Sequence, residues 1–118
     1  MSDAGLELLK GTLDVLILKA LSWGPAHGYA VSRWIRHATD EALSIEEGAL
    51  YPALHRLEHR GAIRSEWGVS VNNRRARFYT LTARGQRQLR DEATTFTRFA
   101  AAMMKALGAP RQPSPARP

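Results

Sequence analysis

Residues 44–82 read SIEEGALYPALHRLEHRGAIRSEWGVSVNNRRARFYTLT, and this stretch decides the fold. Ser44 and Glu47 stand three apart, the capping-box spacing that opens a helix. Leu50, Ala53, Leu54 and Leu57 then recur at helical spacing. Gly61 falls where a helix stop belongs. Ala62 to Trp67 forms a short half-apolar strand, Gly68 to Arg75 a polar and basic tip, and Arg77 to Leu81 the returning strand. A helix followed by a hairpin with a basic tip is the plan of a winged helix, in which the helix fills a DNA major groove while the hairpin reaches along the backbone. Pro52 interrupts the helical pattern. It removes one backbone hydrogen bond and crowds the Gly48 carbonyl, so the favoured reading is a helix from Ile45 or Glu46 with a mild kink. The other reading starts the helix near Tyr51, with Pro52 in its first turn.

Upstream, Leu9, Leu13, Leu16, Ile17, Ala20 and Leu21 line one face of a first helix, with Lys10, Asp14 and Lys19 elsewhere. Gly11-Thr12 is a candidate start for it, and Trp23-Gly-Pro25 ends it. Tyr29, Val31, Trp34, Ile35 and Ala38 mark a second amphipathic helix, with Arg33, Arg36 and His37 outside. His27 sits at its start as a structural hydrogen-bonding residue. Downstream, Thr82 caps a fourth helix from Ala83. Along it Leu89, Ala93, Phe96, Ala100, Met103 and Leu107 alternate steps of four and three, an a/d seam widened by Phe99 and Met104. A three-helix core with a small sheet has little room for so long a helix, so the seam predicts self-association, with packing back onto the first helix as the competing use. Gly108 ends the helix, and a proline-rich flexible tail follows over 108–118.

The expected architecture is therefore mainly α with a small two-stranded β-wing: a winged helix-turn-helix over 1–82 and a dimerisation helix over 83–107. The chain has 118 residues, 44% of them hydrophobic, and a formal net charge of +6. A basic balance favours an anionic partner. The charge is uneven: residues 41–60 carry Arg56 and Arg60 against Glu41, Glu46, Glu47 and Glu58, while residues 61–82 carry Arg64, Arg74, Arg75 and Arg77 against Glu66 alone. The hairpin and the C-terminal segment hold the positive field, and the third helix does not. There is no cysteine, so thiolate chemistry and disulfides are excluded. No signal-peptide pattern and no apolar run of about 18 residues is present, which points to the cytoplasm and away from a membrane.

The outward side of the third helix is centred on Gly48, Pro52, His55 and His59, flanked by Tyr51 and Arg56. Gly48 lets a phosphate approach the backbone, Tyr51 offers a hydroxyl, and His55 and Arg56 can donate to guanine acceptors or to the backbone. Arg74, Arg75 and Arg77 cluster beside the Asn72-Asn73 turn, a composition poor for a sheet and useful against phosphates. His55 and His59 have the spacing of two ligands on one helix face, but no HExxH pattern and no obvious third ligand accompany them, so no metal is expected. Without a glycine-rich phosphate loop, a G-x-S-x-G run or a cysteine nucleophile, neither an enzyme nor a cofactor is expected. A winged helix that serves only as a protein-interaction module is the alternative; it lacks the steep salt dependence of DNA binding.

These motifs together resemble the PadR family of bacterial transcriptional regulators. The similar segments are Gly11-Thr-Leu-Asp-Val-Leu-Ile-Leu18, Gly24-Pro-Ala-His-Gly-Tyr29, Gly48-Ala-Leu-Tyr-Pro-Ala-Leu-His-Arg-Leu-Glu58, Gly61-Ala-Ile63 and Arg77-Phe-Tyr-Thr-Leu-Thr-Ala-Arg-Gly85. The resemblance implies a winged helix-turn-helix homodimer joined through its C-terminal helix. It also implies a palindromic double-stranded operator, action as a repressor, and release by a small-molecule effector or another signal. Tyr51 matches a tyrosine that contacts DNA phosphate in the family, and Arg77 a basic residue before an aromatic pair. Phe78 stands where a tyrosine is commoner. No effector site carries over; Trp23, Trp34, Phe96 and Phe99 are the aromatics to inspect for one.

Overall fold

The computed structural model describes residues 11–112. Its elements run α1 (Thr12–Leu21), β1 (Ala26–His27), α2 (Gly28–Ala38), α3 (Glu47–His59), β2 (Ile63–Val69), β3 (Arg75–Leu81) and α4 (Ala83–Leu107). The strands form one antiparallel sheet in the order β1-β3-β2. This is a winged helix followed by a long helix, as the sequence indicated. The expected hairpin is present but longer, with its tip confined to residues 70–74, because Gly68 continues β2 with its backbone against the Phe78 ring. The two-stranded wing also gains a third strand. β1 pairs Ala26 with Tyr79 and His27 with Phe78, and a two-residue strand is too short to show periodicity in a sequence. Leu6 and Leu9, and the end of the proline-rich tail, lie outside the described residues. Among those residues no helix is long and apolar enough to cross a membrane.

Three helices and the root of the wing share one core. Ile17, Leu18 and Leu21 from α1 meet Val31 and Ile35 from α2, Leu50, Ala53, Leu54 and Leu57 from α3, and Ala62, Ile63 and Tyr79 from the wing. Burying that apolar surface fixes which side of α3 faces outward. The opening of α3 differs from expectation. Ser44 makes no capping box: Glu46 is the N-cap, without a side-chain bond, and the helix begins at Glu47. Ile45 is drawn into the core, which holds Glu46 extended and keeps Ser44 away from the first turn. Hydrophobic burial outweighs a cap, whose loss costs about 1 kcal/mol. The helix then runs unbroken through Pro52. The carbonyl that Pro52 leaves without a partner is that of Gly48, an exposed position where water can reach it. The start near Tyr51 is thereby set aside.

Four residues depart from the helical pattern: Ala38 of α2 is exposed and Leu18 of α1 is buried, and Tyr29 and Asp14 also change sides. Tyr29 stands exposed on α2, stacked on the His27 ring at 6.5 Å. Asp14 is buried on α1 rather than solvated, because Arg56 of α3 and Arg60 just beyond its end reach it. His27 caps α2, its Nδ1 accepting from the Ala30 N–H at 3.2 Å.

The Thr82 hydroxyl oxygen accepts from the Gly85 N–H at 3.0 Å and sits within 2.6 Å of the Gly61 carbonyl, so one side chain starts α4 and ties it to the end of α3. Leu89 packs on the core, while Phe96, Phe99, Met103, Met104 and Leu107 are exposed. The molecule measures 65 × 34 × 21 Å, and a helix of this length accounts for about 37 Å of the long axis.

Candidate nucleic-acid interface

α3 sits with Leu50, Ala53, Leu54 and Leu57 in the core, which leaves Gly48, Tyr51, Pro52, His55, Arg56 and His59 in solvent. Gly48 has open space around it. The Tyr51 ring lies against Gly28 at the start of α2, so close that a Cβ at Gly28 would fall 2.7 Å from the phenol oxygen. His55 and His59 are exposed, and among the described residues no group of three or more His, Cys, Asp or Glu forms that could hold a metal ion. Arg56 is half exposed and divided in allegiance: its Nη2 donates to Asp14 Oδ1 at 2.9 Å.

The wing supplies the cations. Ile63, Ser65, Trp67 and Val69 pair across the hairpin with Leu81, Tyr79, Arg77 and Arg75, so these side chains share one sheet face. The Arg75 guanidinium lies 4.4 Å from the Trp67 ring centre and that of Arg77 5.5 Å, both within cation–π range. Arg77 Nε donates to the Ser65 hydroxyl at 2.8 Å, and Ser65 donates in turn to Glu58 Oε2 at 2.6 Å. Arg77 Nη2 is itself 3.8 Å from that carboxylate. Arg77, on β3, is therefore tied to the C-terminal half of α3 through Ser65 and Glu58. Arg74 stands exposed at the tip, where the Ser70 N–H bonds the Arg74 carbonyl and Asn73 takes a φ of 60°. Deeper in, burial pushes the Tyr79 phenol above its ordinary pKa; nearby Arg77 opposes that, and Glu58 and Tyr51 add to it.

The structure thus gathers Tyr51, His55 and Arg56 on one helix and Arg75 and Arg77 on β3, with Arg77 linked to that helix through Glu58. Sequence reading missed Asp14, Glu58, Ser65 and Trp67. Trp67 was discoverable, since pairing the two strands in register places it opposite Arg77. The aromatics singled out for an effector divide. Trp23 and Trp34 lie 6.5 Å apart, with Lys19 over Trp23, while Phe96 and Phe99 belong to the exposed side of α4.

Comparison with known proteins agrees with this geometry. The model of the transcriptional regulator PadR-like family matches residues 17–91, from α1 into α4. A transcriptional regulator from Clostridium thermocellum superposes with a TM-score of 0.73 at 32% identity, covering 81% of this chain and 93% of its own. A PadR family transcription regulator from Clostridium difficile gives 0.72 at 27% identity, covering 83% and 100%. PadR of Bacillus subtilis, solved in complex with operator DNA, shares the fold at 23% identity, with a TM-score of 0.62 over 90% of this chain and 52% of its own. Fold, wing and matched span lead to one assignment: the chain belongs to the PadR-like family of transcriptional regulators.

Proposed function

We propose that this protein is a cytoplasmic, homodimeric, sequence-specific regulator of double-stranded DNA, acting as a repressor on a palindromic operator and relieved by a small-molecule effector. The observation that carries the reading is the joint placement of an open helix face and an arginine-bearing hairpin tied to that helix through Glu58, Ser65 and Arg77. α3 enters the major groove, with Tyr51 and the Gly48 backbone on phosphate and His55 and Arg56 toward base edges. Arg74, Arg75 and Arg77 grip the flanking backbone. Residues 1–82 form the reading unit and the 83–107 helix joins two copies through Leu89, Ala93, Phe96, Phe99, Ala100, Met103 and Leu107. A dimer of this kind presents its two α3 helices to half-sites about one helical turn, or a multiple of it, apart. Repression follows from occupancy, since a bound dimer blocks the duplex without further machinery.

The test is selection of bound fragments from genomic DNA with purified protein, followed by titration at several salt concentrations. The expected result is a palindrome and an affinity that falls steeply with salt. Tyr51→Ala and Arg75→Ala each lower operator affinity about 10-fold or more, the worth of a hydrogen bond to a charged group, and leave the sedimentation of the dimer unchanged. Gly48→Ala separates stability from binding. Nothing lies within 4 Å of its Cβ, so it raises the melting temperature slightly while weakening binding. Salt-insensitive behaviour, or no binding to any duplex, overturns the reading.

A further inference from the structure

Residues 41–60, which contain α3, carry more acid than base, in a protein proposed here to bind a polyanion. The structure shows where two of the nearby carboxylates go. Asp14 is the buried charged side chain of α1, and it meets two cations: Arg56 of α3 at 2.9 Å and Arg60, the residue that caps α3, at 3.9 Å. Glu58, about one-third exposed, accepts from Ser65 and lies 3.8 Å from Arg77. Arg56 and Arg77 are themselves only half covered, with side chains 50% and 45% exposed. Among the described residues no ion pair engages Arg74 or Arg75. The interface therefore holds two kinds of arginine among the described residues: ones without a carboxylate partner toward the wing tip, Arg75 stacked on Trp67, and carboxylate-paired ones against α3.

Building on the DNA-binding reading, we propose that Asp14 and Glu58 are specificity-determining residues that hold Arg56 and Arg77 in reserve as neutral pairs. A neutral pair releases few counterions, so it contributes little to binding on arbitrary duplex, which is almost wholly electrostatic. The paired arginines also stay in fixed positions and so are poor at following phosphates wherever these happen to lie. On an operator that seats α3 fully, base edges and phosphates arrive within reach of the exposed portion of each guanidinium and share or replace the carboxylate. The pairs thus suppress non-specific affinity more than specific affinity. Two positioning details fit this role. Ser65 fixes both Glu58 and the Arg77 Nε, and the burial of Asp14 prevents its carboxylate from being satisfied by water instead of arginine.

The experiment compares the full chain with Asp14→Asn, Glu58→Gln and the exposed α4 control Asp91→Asn, all on a labelled duplex of mixed sequence across a salt series. Glu58→Gln frees one arginine per protomer and steepens the slope of log K against log salt by about 0.9 for each, so about 1.8 per dimer. Asp14→Asn frees Arg56 and loosens the longer pair with Arg60, and so steepens it by between about 1.8 and about 3.6 per dimer. Each also tightens mixed-sequence binding several-fold at low salt and narrows the ratio of operator to mixed-sequence affinity. Asp91→Asn makes the same charge change elsewhere and leaves the slope unaltered. Adding Arg56→Gln to Asp14→Asn takes back the share of Arg56, about 1.8 per dimer, which a purely structural role for Asp14 does not predict. Slopes unchanged from the parent in folded variants, or an equal rise in Asp91→Asn, overturn the proposal. If Asp14→Asn fails to fold, Glu58→Gln decides, its side chain lying partly in solvent. A parent that binds no duplex removes the DNA-binding reading and this inference with it. A parent that binds with a salt slope the variants do not change removes this inference alone.

Discussion

A chain carrying Phe96→Glu and Met103→Glu is expected to sediment as a monomer and to lose operator binding by two orders of magnitude or more. Phe96, Phe99, Met103, Met104 and Leu107 lie exposed on one long helix, an apolar surface that an isolated chain leaves in water. Burying a Phe or Met side chain contributes about 1.5–3 kcal/mol. A twofold dimer loses two of each, four large side chains in all. Glutamates in their place must be desolvated beside one another, and each buried unpaired charge costs several kcal/mol more. The sum rivals the whole association free energy of a micromolar to nanomolar dimer, about 8–12 kcal/mol. Loss of the dimer also separates the two reading helices. The second half-site then no longer benefits from the high effective concentration that linkage provides, an advantage of about 10²–10⁴. Sedimentation and a titration on the selected operator read both effects. A doubly charged variant that remains dimeric would refute the seam.

Gly85→Ala is expected to destabilise the fold by about 3 kcal/mol or more, at the upper end of what overpacking costs. Gly85 is the third residue of α4 and is buried against the Ala62 backbone, in the turn between α3 and β2. A Cβ there would collide with the Ala62 carbonyl oxygen and lie 2.7 Å from Leu81 Cδ1. Backbone cannot step aside as a flexible side chain can. The same Ala62 carbonyl accepts from the Thr82 N–H and the Thr82 hydroxyl, so relieving the clash also loosens the cap of α4. At about 4–8 °C per kcal/mol for a domain of this size, the melting temperature falls by well over 10 °C. Thermal denaturation by circular dichroism measures it, and a drop of only a few degrees would show that α4 can shift at no great cost.

Gly85 also marks the boundary of what the sequence made legible. The cap at Thr82, the stop at Gly108 and the a/d seam between them are local and periodic, and α4 matches them at both ends. The hairpin and the inward side of α3 were legible for the same reason: alternation and helical spacing are sequence-local signals. What escaped depends on chain segments distant in sequence. β1 exists only because β3 offers it an edge. The Ser44 box fails because Ile45 has a core to enter. Asp14 changes sides because a cation 42 residues away reaches it. The pairing of Glu58, Ser65 and Arg77 likewise needs the register of β2 against β3 and the seating of both on α3. The candidate residues were read as separate donors, whereas the structure couples most of them to a neighbour.

Gly28 extends that coupling to a residue without a side chain. The aromatic ring of Tyr51 occupies the volume a methyl group would need at the start of α2, and so the pose of the outward tyrosine is set by a vacancy on the neighbouring helix. An inventory of groups that touch DNA would never include this position. Yet any side chain there pushes the phenol off its resting place, and on the DNA-binding reading proposed above that displacement is expected to change which duplexes are bound. On the DNA-binding reading, a change at so silent a neighbour is expected to alter target preference although every residue on the reading surface stays the same.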